Sequence, residues 1–110
     1  MSYSIVILES AEQDLQEIKH YVTQRFSLKA WKKTSTQLKS TLKKLQQFPY
    51  SGNIPPEISM FELHQFQQMV CDMNRIIYEI RQDQIIIHMI VDVRRDMKSL
   101  LMKRLMRKGN

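Results

Sequence analysis

Apolar residues recur along this chain with two periods, and the change of period separates a helical half from a strand half. Tyr3 to Leu8 is a short β-rich run, and Ser10-Ala-Glu-Gln13 follows with the spacing of a capping box, so a strand is predicted to hand directly to a helix. Ala11, Leu15, Ile18, Val22 and Phe26 make one stripe at helical spacing, read as core-facing. Ser27 stands where it can cap a second helix, in which Leu28, Trp31, Leu38, Leu42, Leu45 and Phe48 keep steps of three and four, with Ser35 filling the gap after Trp31. Two such seams suit an antiparallel helical hairpin laid on a sheet. Pro49 ends the second helix. Tyr50 to Ile58 carries the other two prolines and one of the two glycines, and reads as a loop too short to link separate domains.

From Phe61 onward the period shortens. His64 to Cys71, Arg75 to Arg81 and Gln84 to Val93 alternate or run apolar as strands do, the last almost wholly so, as expected of a central strand. The break Gln82-Asp83 is so short that its flanking strands must lie antiparallel, bringing Arg75 and Arg94-Arg95 to the same edge of the sheet. The predicted fold is α+β, in the order β-α-α-β-β-β, with the hairpin packed on an antiparallel sheet. A short basic C-terminal helix or tail follows, with Met97, Leu100, Leu101 and Leu105 on one face. With 110 residues and 43% hydrophobic content there is material for one core, so residues 1–110 read as a single domain.

Charge sharpens this picture. The net charge is +6, and between Ser27 and Pro56 six lysines (Lys29, Lys32, Lys33, Lys39, Lys43 and Lys44) occur with no acid. After Val93 seven basic residues face only Asp96. That asymmetry points to nucleic acid, a nucleic-acid enzyme or an acidic protein as partner, against the alternative of a solvated lysine-rich helix face. The lone Cys71 excludes an internal disulfide and fits a reducing compartment. Tyr3 to Leu8 is too short for a signal core or a membrane span, so a cytoplasmic protein without membrane contact is expected.

Candidate chemistry is sparse. His20, His64 and His88 are spread over a helix and two strands without zinc-like spacing, so no metal site or cofactor is expected. His88, in an apolar strand, reads as a half-buried side chain with a satisfied ring nitrogen. Asp14 and Glu17 share a helix face, but acids near a helix N-terminus are accounted for by the helix dipole. Ser4, Ser10 and Ser51 lack a histidine or lysine in a nucleophile setting. Trp31 and Tyr21 read as packing residues rather than base-stacking platforms, so direct sequence-specific DNA binding by this chain alone is not expected. Most of the eight methionines lie in the second half, and Met102 and Met106 are the candidates for exposed anchors.

Ser10-Ala-Glu-Gln-Asp-Leu-Gln-Glu-Ile18, the Phe48-Pro49 break with Gly52 and paired prolines, Arg75-Ile-Ile-Tyr78 and Arg94-Arg95-Asp96 together resemble the RelE/ParE superfamily of bacterial toxins. The resemblance runs through nearly every element in order. It implies the toxin of a type II toxin–antitoxin pair, held silent by a cognate antitoxin whose tail wraps it. RelE-like members cut messenger RNA in the ribosomal A site, whereas ParE-like members poison DNA gyrase.

RNA cleavage through the 2′-hydroxyl needs a proton acceptor, a proton donor and cations on the phosphate. Arg75 and Arg95 match the arginine positions of RelE-like enzymes. The lysine positions fall among Gln65, Phe66, Gln67 and Gln68, and a C-terminal tyrosine would stand near Leu101; Asp92 stands roughly where a histidine often does. The resemblance therefore leans to the ParE-like branch, acting by binding rather than by catalysis. Arg75, Arg94, Arg95, Lys98, Lys103, Arg104 and Arg107 are the expected target-binding cations, and Met102 and Met106 the expected antitoxin anchors. Two alternatives stay open: a ribosome-dependent mRNA endonuclease, and a non-toxic relative that binds antitoxin and tunes transcription or plasmid copy number.

Overall fold

The computed structural model describes residues 3–57 and 65–106, and for Met97, Leu101, Leu105 and Met106 the backbone only. Strand β1 (Ser4–Ile7) leads into helix α1 (Glu9–Arg25), and helix α2 (Leu28–Gln47) runs back beside it. A short 3-10 turn (Pro49–Ser51) precedes strands β2 (Phe66–Cys71), β3 (Asn74–Arg81) and β4 (Gln84–Asp92), and helix α3 (Met97–Met106) closes the described chain. His64 lies outside the described residues. The sheet order is β1-β4-β3-β2.

The sheet is mixed rather than antiparallel. β2, β3 and β4 form the expected meander, but β1 pairs parallel with β4, Ser4 opposite Gln84 through Ile7 opposite Ile87. The helical hairpin makes this possible, since parallel neighbours need a long crossover. Two-residue turns join the meander, Asp72-Met73 and Gln82-Asp83, with Asp72 and Gln82 both at φ 57°.

One of the hairpin's helix boundaries follows from a side chain and three from backbone. Ser27 caps α2 as expected, its Oγ accepting the Ala30 N–H at 3.0 Å. The capping box at Ser10 does not form: Leu8 still donates its N–H to Ile87 as the end of the β1 ladder, and Glu12 donates to the Leu8 carbonyl, so α1 already begins at Glu9. Phe26, expected in the core, is 70% exposed. Both its N–H and that of Ser27 bond to the Val22 carbonyl, which ends the helix and swings the ring off the stripe. Phe48 is likewise 64% exposed because the chain leaves helical geometry there, and Leu28, in the first turn of α2, is exposed too.

Both sheet faces are covered. Toward the hairpin, Ala11, Leu38 and Leu45 pack with Ile76, Tyr78, Ile85, Ile87 and Ile90. On the other face Phe66, Ile77, Met89 and Val91 pack against Leu100 of α3. This second layer explains why β4 is buried from Ile85 to Val91 and apolar on both sides.

Between Ile77 and Tyr78 the β3–β4 register slips, so that Ile77 faces Met89 and Tyr78 faces Ile87, leaving His88 as a bulge. β1 has already ended there, so the outer edge of β4 is without a strand. Asp14 and Arg104 close it. Asp14 Oδ2 accepts the Ile90 N–H at 3.0 Å, Arg104 Nη1 donates to the His88 carbonyl at 3.2 Å, and Arg104 Nη2 pairs with Asp14 Oδ1. A helix-dipole acid in the sequence is thus a buried, 5% exposed clamp between α1, β4 and α3.

Candidate target-binding surface

Arg75 and the pair Arg94-Arg95 lie at the same end of the sheet, as the register of Asn74 with Asp92 requires, but they are not gathered in one pocket. Alternation along β3 puts Ile76 and Tyr78 toward the hairpin and Arg75 with Ile77 on the opposite face. There the guanidinium is enclosed. Nε donates to Gln68 Oε1 at 2.8 Å, and Nη1 and Nη2 grip both carboxylate oxygens of Glu57, each at 2.8 Å. Only 10% of the Arg75 side chain is exposed, and its hydrogen bonds hold the Glu57 carboxyl below its ordinary range.

Arg94 and Arg95 stand in the turn after β4 and are exposed. Asp92 organises this turn: Oδ1 accepts both the backbone N–H and Nε–H of Arg94, at 2.8 and 2.9 Å, and Oδ2 accepts from Nη2 at 2.8 Å. The fork lowers the Asp92 carboxyl and raises the Arg94 guanidinium, the latter helped by the Tyr21 hydroxyl beside it. Asp96 then accepts from the Ser99 N–H and hydroxyl, capping α3.

Arg94 and Arg95 border a groove of about 710 Å³ between the hairpin and the ends of β3 and β4, whose apolar lining includes Ile18, Val22, Phe26 and Met73. Arg75 is not among its lining residues. The cations of α3 divide similarly. Lys98 and Lys103 are exposed, whereas Arg104 is held by Asp14 and the His88 carbonyl; Arg107 lies outside the described residues. Met102 is half-buried rather than an exposed anchor, and the Met106 side chain lies outside the described residues.

His88 is more deeply placed than half-buried, at 4% exposure, with Nε2 2.9 Å from Glu79 Oε1 and its ring edge-on to Phe66. It is not among the residues that line the groove. Among the described residues no cluster of histidine, cysteine and acidic side chains is arranged to hold a metal ion, and no helix is long and apolar enough to cross a membrane.

Sequence reasoning missed Glu57 and Gln68 as the partners of Arg75, and Tyr21 and Phe26 as groove residues. A signal existed for the first pair. Gln68 sits at an inward position of an alternating strand, and Glu57 is the first acid after a long acid-free stretch. Nothing local distinguished Phe26 from the core stripe it continues.

This α+β fold, a hairpin of helices laid on a β1-β4-β3-β2 sheet, matches solved structures from two toxin–antitoxin systems. A chain of the chromosomal ParDE TA system from P. aeruginosa superposes with a TM-score of 0.70 at 17% identity, over 84% of this chain and 97% of that one. A chain of the RelBE2 toxin–antitoxin complex from Mycobacterium tuberculosis superposes with a TM-score of 0.59 at 12% identity, over 84% and 99%. No significant match is found among curated protein sequences. The family described as the ParE toxin of the type II toxin–antitoxin system parDE matches residues 5–99, and this chain belongs to it.

Proposed function

We propose that this toxin inhibits DNA gyrase by binding, through the exposed turn Arg94-Arg95 and the neighbouring cations Lys98 and Lys103, and that a cognate antitoxin silences it in the cytoplasm. The observation that supports binding over RNA cleavage is the separation of Arg75 from Arg94 and Arg95. A nuclease must converge its cations on one scissile phosphate. Here one arginine is spent on Glu57 and Gln68 across the sheet from the other two.

The antitoxin partner is supported by the family and by the complexes in which its structural relatives occur. Apolar residues left exposed outside the core, among them Phe26, Phe48, Tyr50 and Met73, offer places for such a partner to cover.

The deciding experiment incubates antitoxin-free protein with gyrase, ATP and plasmid. Supercoiling should fall, linear DNA should accumulate, and Arg94→Gln/Arg95→Gln should lose both effects. Unchanged supercoiling at micromolar protein would count decisively against gyrase as the target.

One observation favours a second reading. Tyr21 lines the same groove as the exposed Arg94 and Arg95 and carries a phenolic hydroxyl. A ribosome-dependent mRNA endonuclease would use it as proton donor, giving codon-phased cuts on a programmed ribosome that vanish with Tyr21→Phe. If induction leaves growth unaffected while an antitoxin complex still forms, the chain is instead a non-toxic relative tuning transcription or copy number.

A further inference from the structure

We propose that the outward face of α2 is a sequence-independent binding surface for the phosphate backbone of duplex DNA. Lys29, Lys32, Lys33, Lys39, Lys43 and Lys44 are all exposed on this helix, opposite the buried Leu38 and Leu45. At about 100° per residue the six fall within an arc of about 140°, and from Lys29 to Lys44 the stripe runs about 22 Å. Exposed Thr36 and Ser40 lie in the same arc. No other charge interrupts it.

Two facts set this stripe apart from an ordinary solvated helix face. Among the described residues none of the six lysines enters an ion pair, although every other described helix bears a residue that does. Further, Lys29–Lys33 and Lys39–Lys43 are like-charge pairs four residues apart, and the first turn of α2 has no acid to offset Lys29. Such pairs each destabilise a helix by about 0.2–0.5 kcal/mol, and a lysine near the N-terminus opposes the dipole. An external row of anions would relieve both.

The chemistry of the face selects the anion. Lysine ammoniums are point charges without the planar fork that reads base edges, and the Ser40 hydroxyl between them is an ordinary phosphate donor, whereas that of Thr36 is given to the Lys32 carbonyl. No aromatic lies in the arc to stack an unpaired base, since Trp31 turns to the half-buried side. Nor does it hold the aromatic or apolar anchor that a protein interface requires. A straight, convex, uniformly cationic rod suits a duplex backbone. The inference does not depend on gyrase being the target, because it concerns DNA binding by this chain alone.

The test is fluorescence anisotropy of the full chain with a labelled duplex of about 24 base pairs, across 50 to 200 mM salt. If each lysine engages one phosphate, affinity should fall about 10³-fold over that range, and only about 40-fold in Lys32→Gln/Lys39→Gln/Lys43→Gln. The corresponding Lys→Arg variant should bind as the native chain does, and shuffling the duplex sequence should change nothing. Circular dichroism confirms that the glutamine variant keeps its helices; should it fail to fold, the native salt slope and the arginine variant still decide. A native salt slope near zero would overturn the proposal. So would native-like binding by the glutamine variant, loss of binding only in Arg94→Gln/Arg95→Gln, or tighter binding of single-stranded DNA, an RNA hairpin or polyglutamate.

Discussion

Replacing Arg104 with alanine removes the cation that ties α3 to α1 across the open edge of β4. The carboxylate it leaves behind, Asp14, is 5% exposed and among the described residues retains only the Ile90 N–H, while the His88 carbonyl loses the Arg104 Nη1–H. Leaving one member of a buried pair uncompensated costs about 3–5 kcal/mol. Arg104 itself is 30% exposed, so part of its interaction is with water and the lower end, about 3 kcal/mol, applies. Adding Asp14→Asn should recover about 2 kcal/mol, because the amide oxygen still accepts the Ile90 N–H and no buried charge remains. Asp14→Ala alone orphans that N–H and should cost about 2 kcal/mol. Urea unfolding followed by circular dichroism at neutral pH measures these three variants against the native chain, with Arg94→Ala as an exposed-pair control whose midpoint should hardly move. A loss in Arg104→Ala no larger than in the control, or a double variant no more stable than the single, would refute the clamp.

Other consequences are as direct. Glu57 has its carboxyl held down by Arg75, so its contribution is present above the unfolded-state value near 4.5 and disappears as pH falls through the lower folded-state value. Glu57→Gln should therefore lose about 2–4 kcal/mol at neutral pH and show a shallower acid-unfolding curve than the native chain, checked by denaturation between pH 7 and 3. Gly52→Ala should cost about 2 kcal/mol or more, since a Cβ there would stand 2.4 Å from both the Gln68 carbonyl oxygen and the Tyr78 hydroxyl. Burial raises the Tyr78 hydroxyl, whose stabilising neutrality should fade as pH rises above about 10, and Tyr78→Phe should flatten that alkaline limb. Ser27→Ala should lower stability by about 1 kcal/mol through the α2 cap, read from thermal melts.

The elements that depend on near neighbours were legible in the residues. The switch from steps of three and four to alternation located the hairpin and the meander, Ser27 announced its cap, and Gln82-Asp83 announced its turn. Where two local signals overlapped, the sequence was ambiguous. Ser10 fitted a capping box, yet the strand ladder at Leu8 started the helix earlier; Phe26 and Phe48 fitted apolar seams, yet each sits where helical backbone stops.

The candidate site was legible only in part. Arg94 and Arg95 were expected at the end of a strand and are exposed there, anchored by Asp92 two residues away. Arg75 was expected beside them as a target-binding cation, but side-chain alternation turns it to the opposite face, where a carboxylate eighteen residues earlier holds it.

By itself, then, the amino-acid order determined the type and order of the elements from β1 to β4, their boundaries to within a residue or two, and the basic character of α2 and of the chain after β4, while leaving helix or tail open at the C-terminus. Only the folded molecule decided that β1 runs parallel to β4, that α3 covers the second face of the sheet, and which charges are spent internally. The physical reason is range. Helical and strand periods and caps are set by groups a few residues apart, whereas Asp14 meets Arg104 across ninety positions, and no local pattern specifies which distant charge will close an open strand edge.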